Sequence, residues 1–233
     1  MNSIARSCMA ELVGTFTLTF IGAGAIITQA AGGGGGLVAI ALAHGLALSM
    51  AVYASGHISG GHINPAVTCA MLATRRISLP NAIAYIVSQC AGSIIAAILL
   101  KSLFPADAVA KASLGATLAL DSAGAPVLGE AATLTLEAIL TFLLVTTIFG
   151  VAVDSRGPKN VYGFAIGLTV CFDILCAGPL TGASMNPARS LGPALVGGHW
   201  VIHEAYWLGP ILGGVIAALA YDVCLIPKSS GAK

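Results

Sequence analysis

Charged residues are scarce in this sequence. Only 8% of its 233 residues are Asp, Glu, Lys or Arg, and 57% are hydrophobic, whereas soluble domains contain roughly a quarter charged residues. This scarcity excludes an ordinary water-soluble protein and indicates a chain that lies in a lipid bilayer. The net charge of +1 gives no strongly basic or acidic surface, so nucleic acid is not expected as a partner.

Patterns typical of catalytic, metal or cofactor sites are also missing. The six cysteines lie in or beside apolar segments without metal-ligand spacing, and no nucleophile has a positioned base. The glycine run at 30–36 lacks the Lys-Ser/Thr ending of a phosphate-binding loop, and the loop at 102–130 contains no chemistry that we can name. We therefore expect no metal, no cofactor and no enzyme activity.

Six apolar stretches are long enough for a transmembrane helix, which needs about 20 residues. They cover residues 8–29, 37–55, 79–100, 131–153, 161–178 and 203–225. Because they use most of the chain, we expect one transmembrane domain over 1–233. The first stretch is longer than a signal-peptide core and has no convincing cleavage site, so we expect it to be a permanent span.

The positions of the positive residues predict the orientation, because cytoplasmic loops are enriched in Lys and Arg. With both termini in the cytoplasm, the cytoplasmic segments contain Arg6, Arg75, Arg76, Arg156, Lys159, Lys228 and Lys233. The external segments then contain only Lys101 and Lys111. No retention or transit signal is apparent, so we expect a multi-pass protein of the plasma (cell inner) membrane.

The second half of the sequence repeats the first. Glu11 recurs 126 positions later as Glu137, and the triplet Asn-Pro-Ala at 64–66 recurs 122 positions later at 186–188. Repeat one covers about 8–102 and repeat two about 131–225, with three spans each. An odd number of spans forces the repeats into opposite topologies, with the functional site at their interface near the midplane.

Each Asn-Pro-Ala triplet is followed by an apolar run that is too short to span the membrane. The triplets are Asn64, Pro65 and Ala66, and Asn186, Pro187 and Ala188. Asn is a favoured N-cap and Pro suits the first helical position, so we expect two half-helices that meet head to head. Their N-termini, each equivalent to roughly half a positive charge, would repel cations.

In this arrangement we expect the asparagine amide groups to remain free and to face the pore. A water molecule that accepts from both amides turns its hydrogens outward, which interrupts a hydrogen-bonded path for protons. The backbone before each cap must be non-helical, and such backbone is tolerated at membrane depth where it lines a cavity. Its carbonyls are expected to line the pore at Gly60, Gly61, His62, Gly182 and Ser184.

Glu11 and Glu137 lie inside predicted spans, where ionisable residues are costly and are functional candidates. Because the repeat relates them, we expect each carboxylate to brace the loop before one half-helix by accepting backbone N–H groups. A proton relay is the alternative interpretation. His57 and His62 are further candidates for bracing the first loop.

Two ten-residue motifs carry a family resemblance. The segments SGGHINPAVT at 59–68 and TGASMNPARS at 181–190 are similar to those of aquaporins in the major intrinsic protein family, and the resemblance extends over essentially the full chain. It implies an all-α hourglass with six transmembrane helices and two half-helices, packed as a homotetramer with one pore per subunit. The partners implied are the lipid bilayer and water.

The resemblance also implies an outer constriction, the selectivity filter of the family. Its four residues are His44 on the second span, Ile174 on the fifth, Ala183 in the loop and Arg189 after the second motif. Water-specific members typically have Phe and His at the first two positions. The set found here resembles plant tonoplast-type and archaeal members, whose filters are somewhat wider and in some cases pass ammonia.

Four other positions match the water-selective side of the family, namely Ser190, Ala194, Tyr206 and Trp207. We therefore predict a passive water channel that excludes protons and ions. A broader neutral-solute channel that also passes ammonia, and less readily glycerol or hydrogen peroxide, is left open. Asp173, beside Ile174, departs from the family pattern. We expect it to hydrogen-bond His44 or to brace the fifth span, and a pore-lining charge is the less favoured interpretation.

A coupled small-solute transporter is the alternative from another class, because transporters also have inverted repeats and broken helices. A transporter requires a coupling-ion site. The acids within the predicted spans are Glu11, Glu137, Asp173 and Asp222, and they form no obvious cluster.

Overall fold

The computed structural model describes residues 3–118, 124–158 and 160–227. Its helices, in chain order, are α1 (Ser3–Ala30), α2 (Gly36–Ser59), α3 (Pro65–Ala73), α4 (Leu79–Leu103), α5 (Ala106–Lys111), α6 (Glu130–Ile148), α7 (Tyr162–Thr181), α8 (Pro187–Gly197) and α9 (Ala205–Cys224). A 3₁₀ turn, Ser113–Gly115, lies between α5 and α6, and a π turn, Phe149–Val153, extends α6. Lys159, Lys228 and Lys233, which the sequence places in the cytoplasm, lie outside the described residues.

Six of these helices are long and apolar enough to cross a membrane: α1, α2, α4, α6 with its π turn, α7 and α9. They coincide with the six predicted spans, and α3 and α8 are the predicted half-helices, so the predicted fold class is confirmed. The chain is an integral multi-pass membrane protein. Because the number of spans is even, α1 begins and α9 ends on the same side, which we call the terminal side.

The spans form two groups related by the repeat. In one group α1 packs against α2 and α4, and in the other α6 packs against α7 and α9. Glycine permits close helix approach at equivalent positions: a Cβ on Gly92 would overlap the carbonyl of Leu12, and one on Gly213 would overlap the carbonyl of Ala138. Small residues at such crossings are typical of membrane helix packing. The two groups meet along α2 and α7.

The half-helices occupy the space between the two groups. The first, α3, packs against α9, and the second, α8, packs against α4, so each half-helix lies against the last span of the opposite repeat. Each begins at a cap near the midplane and ends at its own membrane side. Their N-termini therefore point toward each other, as the repeat predicts.

Candidate channel between the two half-helices

Two cavities lie in line between the helix groups. The central cavity, about 460 Å³, extends from Arg76 and Tyr162 on the terminal side, past Asn64 and Asn186, to Arg189. The second cavity, about 390 Å³, lies on the opposite side and is lined by residues that include Lys111, Ser113 and Gly182. His44 and Ile174 line both cavities, so they mark the boundary between them.

The asparagine side chains cap the half-helices and also join them. Asn64 Oδ1 accepts from the Ala66 N–H at 2.8 Å, and Asn186 Oδ1 accepts from the Ala188 N–H at 3.1 Å. Asn64 Nδ2 donates to the Met185 carbonyl at 2.7 Å, and Asn186 Nδ2 donates to the Ile63 carbonyl at 3.0 Å. The expectation that the amide groups remain free was therefore wrong for one N–H of each.

The physical reason is that the opposing loop carbonyls are buried and require donors. An amide NH₂ group has two hydrogens, so each asparagine retains one N–H beyond the bond to the opposite loop. Both residues line the central cavity. The two remaining N–H groups are therefore available there to a passing molecule.

The loops before the caps have left-handed backbone in both repeats. Gly60 and Gly182 end their helices with φ of 92° and 87°. Ile63, Ala183 and Met185 follow with φ of 56°, 45° and 54°, a conformation that is costly for side chains with a Cβ. The side chains of Ile63 and Met185 are fully buried, so packing holds the strained backbone in place.

The loop residues that we predicted to line the pore divide between the two cavities. Gly60, Gly61, His62 and Ser184 line the central cavity, whereas Gly182 lines the second cavity. Ala183 also lines the central cavity. The two loops thus form walls on successive sections of one path.

Glu11 holds the first loop. Its Oε1 accepts from the Ser59 hydroxyl at 2.6 Å and from the His62 N–H at 3.0 Å. Its Oε2 accepts from the Ile63 N–H at 2.5 Å and from Gln89 Nε2 at 2.7 Å. Four donors satisfy this buried carboxylate, which fits the geometry of a brace.

Glu137 holds the second loop in the same way. Its Oε1 accepts from the Thr181 hydroxyl at 2.8 Å and from the Ser184 N–H at 3.0 Å, and its Oε2 accepts from the Met185 N–H at 2.8 Å. Both glutamates are fully buried and neither lines the central or the second cavity.

Two tyrosines that we did not assign to the site complete the brace. Tyr85 donates its hydroxyl to the Ser59 carbonyl at 2.8 Å, and Tyr206 donates to the Thr181 carbonyl at 2.6 Å. These carbonyls precede Gly60 and Gly182, where the helices end. The signal in the sequence was the spacing of 121 positions between the tyrosines, which is close to the spacing of the two motifs.

Arg189 is fixed at the boundary of the two cavities. Its Nη1 donates to the Gly115 carbonyl at 2.8 Å, and its Nη2 lies 3.1 Å from His44 Nε2. His44 Nδ1 lies 2.9 Å from the Ile40 carbonyl. Because a carbonyl only accepts, Nδ1 carries the proton and Nε2 accepts from the guanidinium.

Gly115 was missed because the loop at 102–130 has a low-complexity sequence. Its backbone contains three consecutive left-handed residues, Ser113, Leu114 and Gly115, with φ of 47°, 55° and 67°. A Cβ on Gly115 would lie 2.6 Å from the Ala23 Cβ, so only glycine fits. This turn brings a main-chain acceptor from the loop into contact with Arg189.

Two side-chain expectations were wrong. Asp173 is buried, with 1% exposure, and neither carboxyl oxygen has a hydrogen-bond partner among the described residues; both nitrogens of His44 are already occupied by Ile40 and Arg189. His57 is exposed and its side chain forms no hydrogen bond with another of the residues that the structure describes, so it does not brace the first loop there. The ring of His62, by contrast, lies with Nδ1 3.1 Å from the Thr68 hydroxyl.

Known proteins share this architecture. The family description "Major intrinsic protein" matches residues 1–221. Aquaporin TIP4-4 of Zea mays is 44% identical over 93% of this chain and 85% of its own length. The glycerol uptake facilitator protein-like 6 of Lactiplantibacillus plantarum is 42% identical over 94% of this chain and 97% of its own length.

A solved structure supports the fold independently. The aquaglyceroporin from Plasmodium falciparum superposes with a TM-score of 0.83 over 95% of this chain and 96% of that chain, at 22% sequence identity. With six spans, two capped half-helices, and a family match over nearly the whole sequence, the chain belongs to the major intrinsic protein family of aquaporin channels.

Proposed function

We propose that the chain is a passive water channel that excludes protons and ions. The observation that carries the proposal is the pair of amides of Asn64 and Asn186, which line one cavity at the N-termini of two opposed half-helices. Each amide uses one N–H for the opposite loop and keeps the other. A small molecule with an acceptor oxygen suits this pair of donors.

Exclusion of charge follows from the same geometry. A water molecule that accepts from both amides directs its hydrogens away from the midplane, so neighbouring waters cannot pass a proton through it. The two helix N-termini together oppose a cation with about one positive charge. Arg189 adds a permanent charge at the cavity boundary, where Gly115 and His44 hold it.

The test is osmotic shrinkage of proteoliposomes in a stopped-flow instrument, with an internal pH dye to record proton leak. We expect shrinkage much faster than in empty vesicles, linear in the osmotic gradient, with no added proton leak. Asn186→Asp removes the free N–H and should raise the leak, whereas Asn81→Asp, an exposed control on α4, should not. Shrinkage no faster than that of empty vesicles would refute the proposal.

Passage of ammonia is the second candidate function. Ile174 and Ala183 give the boundary an apolar wall, and His44 uses its Nε2 for Arg189. These three residues therefore offer few hydrogen-bonding groups that would select a solute as polar as water. Glycerol and hydrogen peroxide are less favoured solutes, although one relative carries a glycerol facilitator name. An inward ammonium gradient should raise the internal pH of the same vesicles faster than in empty ones.

The coupled-transporter alternative predicts saturable uptake that depends on an ion gradient. Among the described acids within the spans, Glu11 and Glu137 are committed to loop backbone, and Asp222 pairs with Arg76 at 2.7 Å. Asp173 has no hydrogen-bond partner among the described residues, but it lines neither the central nor the second cavity. These commitments favour a channel over an ion-coupled carrier. Osmotic flux that saturates or requires a sodium or proton gradient would favour the transporter instead.

We further propose that the terminal side is cytoplasmic, that the protein lies in the plasma (cell inner) membrane and that four copies form a homotetramer with one pore each. Arg6, Arg75, Arg76 and Arg156 are all on the terminal side, whereas Lys101 and Lys111 are on the other, which fits the positive-inside rule. Native mass spectrometry of the purified protein should give a mass of four subunits.

A further inference from the structure

The turn at 113–118 is connected to the loop before α8 by three buried hydroxyl groups. Thr117 donates its hydroxyl to Ser190 Oγ at 2.7 Å, and Ser190 Oγ lies 2.5 Å from Ser184 Oγ. Ser184 donates in turn to the Asn186 carbonyl at 3.0 Å. We call Thr117, Ser190 and Ser184 the hydroxyl chain.

The direction of the hydroxyl chain follows from its last acceptor. The Asn186 carbonyl only accepts, so Ser184 gives it its single hydroxyl proton. Ser190 must then donate to Ser184, while it accepts from Thr117. Hydrogen bonds that run in one direction through a buried, weakly polar region strengthen one another. The chain is therefore a firm connection between the turn and the cap of α8.

The hydroxyl chain begins and passes beside the contact that holds Arg189. Ser190 directly follows Arg189 in α8, and Thr117 lies two positions after Gly115, whose carbonyl accepts from Arg189. A Cβ on Gly182 would lie 2.9 Å from Thr117 Cα, so the turn also packs directly on the start of the loop before α8. A shift of this turn would carry the Gly115 carbonyl away from the guanidinium.

The first repeat has a corresponding contact whose donor comes from elsewhere. At the position 122 residues before Ser190, Thr68 donates to the Asn64 carbonyl at 3.1 Å. Thr68 accepts from Gln89 Nε2 at 3.0 Å, and Gln89 lies on the transmembrane helix α4. In the second repeat the corresponding donor lies instead on the turn that contacts Arg189, whose counterpart in the first repeat is uncharged. The difference is expected if the hydroxyl chain serves the guanidinium.

We propose that Thr117 is a positioning residue of the selectivity filter. It acts through the hydroxyl chain and the Gly115 carbonyl to hold the Arg189 guanidinium at the boundary of the two cavities. Thr117 lines neither cavity, so it does not contact the permeating molecule. Without its hydroxyl, the turn loses its bond to Ser190, and the guanidinium can move together with the turn. The inference rests on the proposed function, because its readout is the exclusion of ions by a channel that conducts water.

Proteoliposomes that contain Thr117→Val test the inference. Valine keeps the shape of threonine and removes the hydroxyl. Leak of cations and protons is recorded with pH and potential-sensitive dyes and expressed relative to the osmotic shrinkage of the same vesicles. We expect the relative leak to rise about threefold, which corresponds to part of one hydrogen bond. Thr117→Ser, which keeps the hydroxyl, should not raise it.

Thr133→Val is the matched control. Thr133 is as deeply buried as Thr117, and its hydroxyl donates to the Leu128 carbonyl at 3.4 Å. It lines neither cavity. Loss of this hydroxyl should affect stability alone and leave the relative leak unchanged. A rise in Thr133→Val equal to that in Thr117→Val would overturn the inference.

A double-substitution cycle separates positioning of Arg189 from a merely structural role. If Thr117 acts through Arg189, then Thr117→Val should add no leak to Arg189→Val, because the group that it positions is already absent. The same fold increase in both backgrounds would show that Thr117 acts independently of the guanidinium, and the inference would be wrong.

Ser190→Ala interrupts the hydroxyl chain at its middle and serves as a second variant. It should raise the relative leak as Thr117→Val does, and the two substitutions together should exceed neither alone. An unchanged leak in either single variant contradicts the inference. Failure of the proposed function is distinct, because it appears as wild-type shrinkage no faster than that of empty vesicles.

Discussion

The two halves of the molecule share one bracing scheme but differ in what they present to the pore. In each, a glutamate, a hydroxyl residue and a tyrosine hold the loop before the half-helix. The filter residues His44, Ile174, Ala183 and Arg189 have as repeat counterparts Ile166, Val52, Gly61 and Val67, each 122 positions away. All four counterparts line the central cavity.

This comparison separates scaffold from selectivity. The repeat builds the loop support twice, because both loops must hold strained backbone at membrane depth. The polar filter is built once, on the side of α8, and its counterpart on the terminal side is apolar. Conduction therefore requires both halves, whereas discrimination between solutes is expected to depend on one of them.

The largest expected effect concerns the two braces. Glu11 accepts four donors and Glu137 accepts three, because Pro210 stands where the first half has Gln89, 121 positions earlier. In a glutamine an NH₂ group, which cannot accept, replaces one of the two carboxylate oxygens. Each oxygen of Glu11 accepts two bonds, so Glu11→Gln disrupts two. Oε2 of Glu137 accepts one bond, so Glu137→Gln disrupts one when the NH₂ group takes that position. At about 1.5–3 kcal/mol per bond to a charged group, Glu11→Gln should destabilise the protein about twice as much.

Thermal unfolding midpoints in detergent measure this difference. Glu204→Gln, an exposed control, should leave the midpoint unchanged. Equal losses in Glu11→Gln and Glu137→Gln would contradict the view that Gln89 strengthens the first brace.

The next effect concerns the polarity of the filter. Arg189→Val gives the second half the residue that the first half has at the equivalent position, Val67. Removal of the fixed guanidinium should raise cation and proton leak about tenfold, which corresponds to about 1.4 kcal/mol in the barrier, without loss of water flux. Leak recorded with pH and potential-sensitive dyes should be unchanged in Arg75→Val, and an unchanged leak in Arg189→Val would mean that the half-helices alone exclude cations.

A smaller and symmetric effect is expected for the tyrosines. Tyr85→Phe and Tyr206→Phe each remove one hydroxyl donor to a loop carbonyl, at a cost of about 1 kcal/mol. The unfolding midpoint should fall by similar amounts in both variants. A much larger fall in one of them would show that the two loops are not supported equally.

The smallest effect is expected at Asp173, whose repeat counterpart is Ala51. Because neither carboxyl oxygen has a partner in the described residues, Asp173→Asn should leave water flux unchanged and alter stability by about 1 kcal/mol or less. Stopped-flow shrinkage and the unfolding midpoint check this. A clear loss of flux in Asp173→Asn would assign this residue to the filter after all.

The sequence predicted the parts of the fold that are coded locally or by repetition. The length of the apolar runs gave the six spans, and Asn-Pro pairs gave the starts of α3 and α8. The contacts of Arg189 with Gly115 and of Asn64 with Met185 could not be predicted, because they join residues 74 and 121 positions apart through backbone carbonyls that have no side-chain signature. The same holds for Asp173, because the bonds of His44 to Ile40 and Arg189, which leave it no free ring nitrogen, are not apparent from the sequence.

The reciprocal bonds between the two asparagines and the opposite loops have a consequence for biosynthesis. The Ile63 carbonyl accepts from Asn186, which lies 123 positions later in the chain. At a synthesis rate of roughly 5–20 residues per second, Asn186 is therefore synthesised about 6–25 seconds after Ile63. During that interval the Ile63 carbonyl has a donor in its own half, the Thr15 hydroxyl at 3.2 Å, but the bond from the second half is missing. The first loop therefore acquires its complete set of contacts only after the second repeat is inserted.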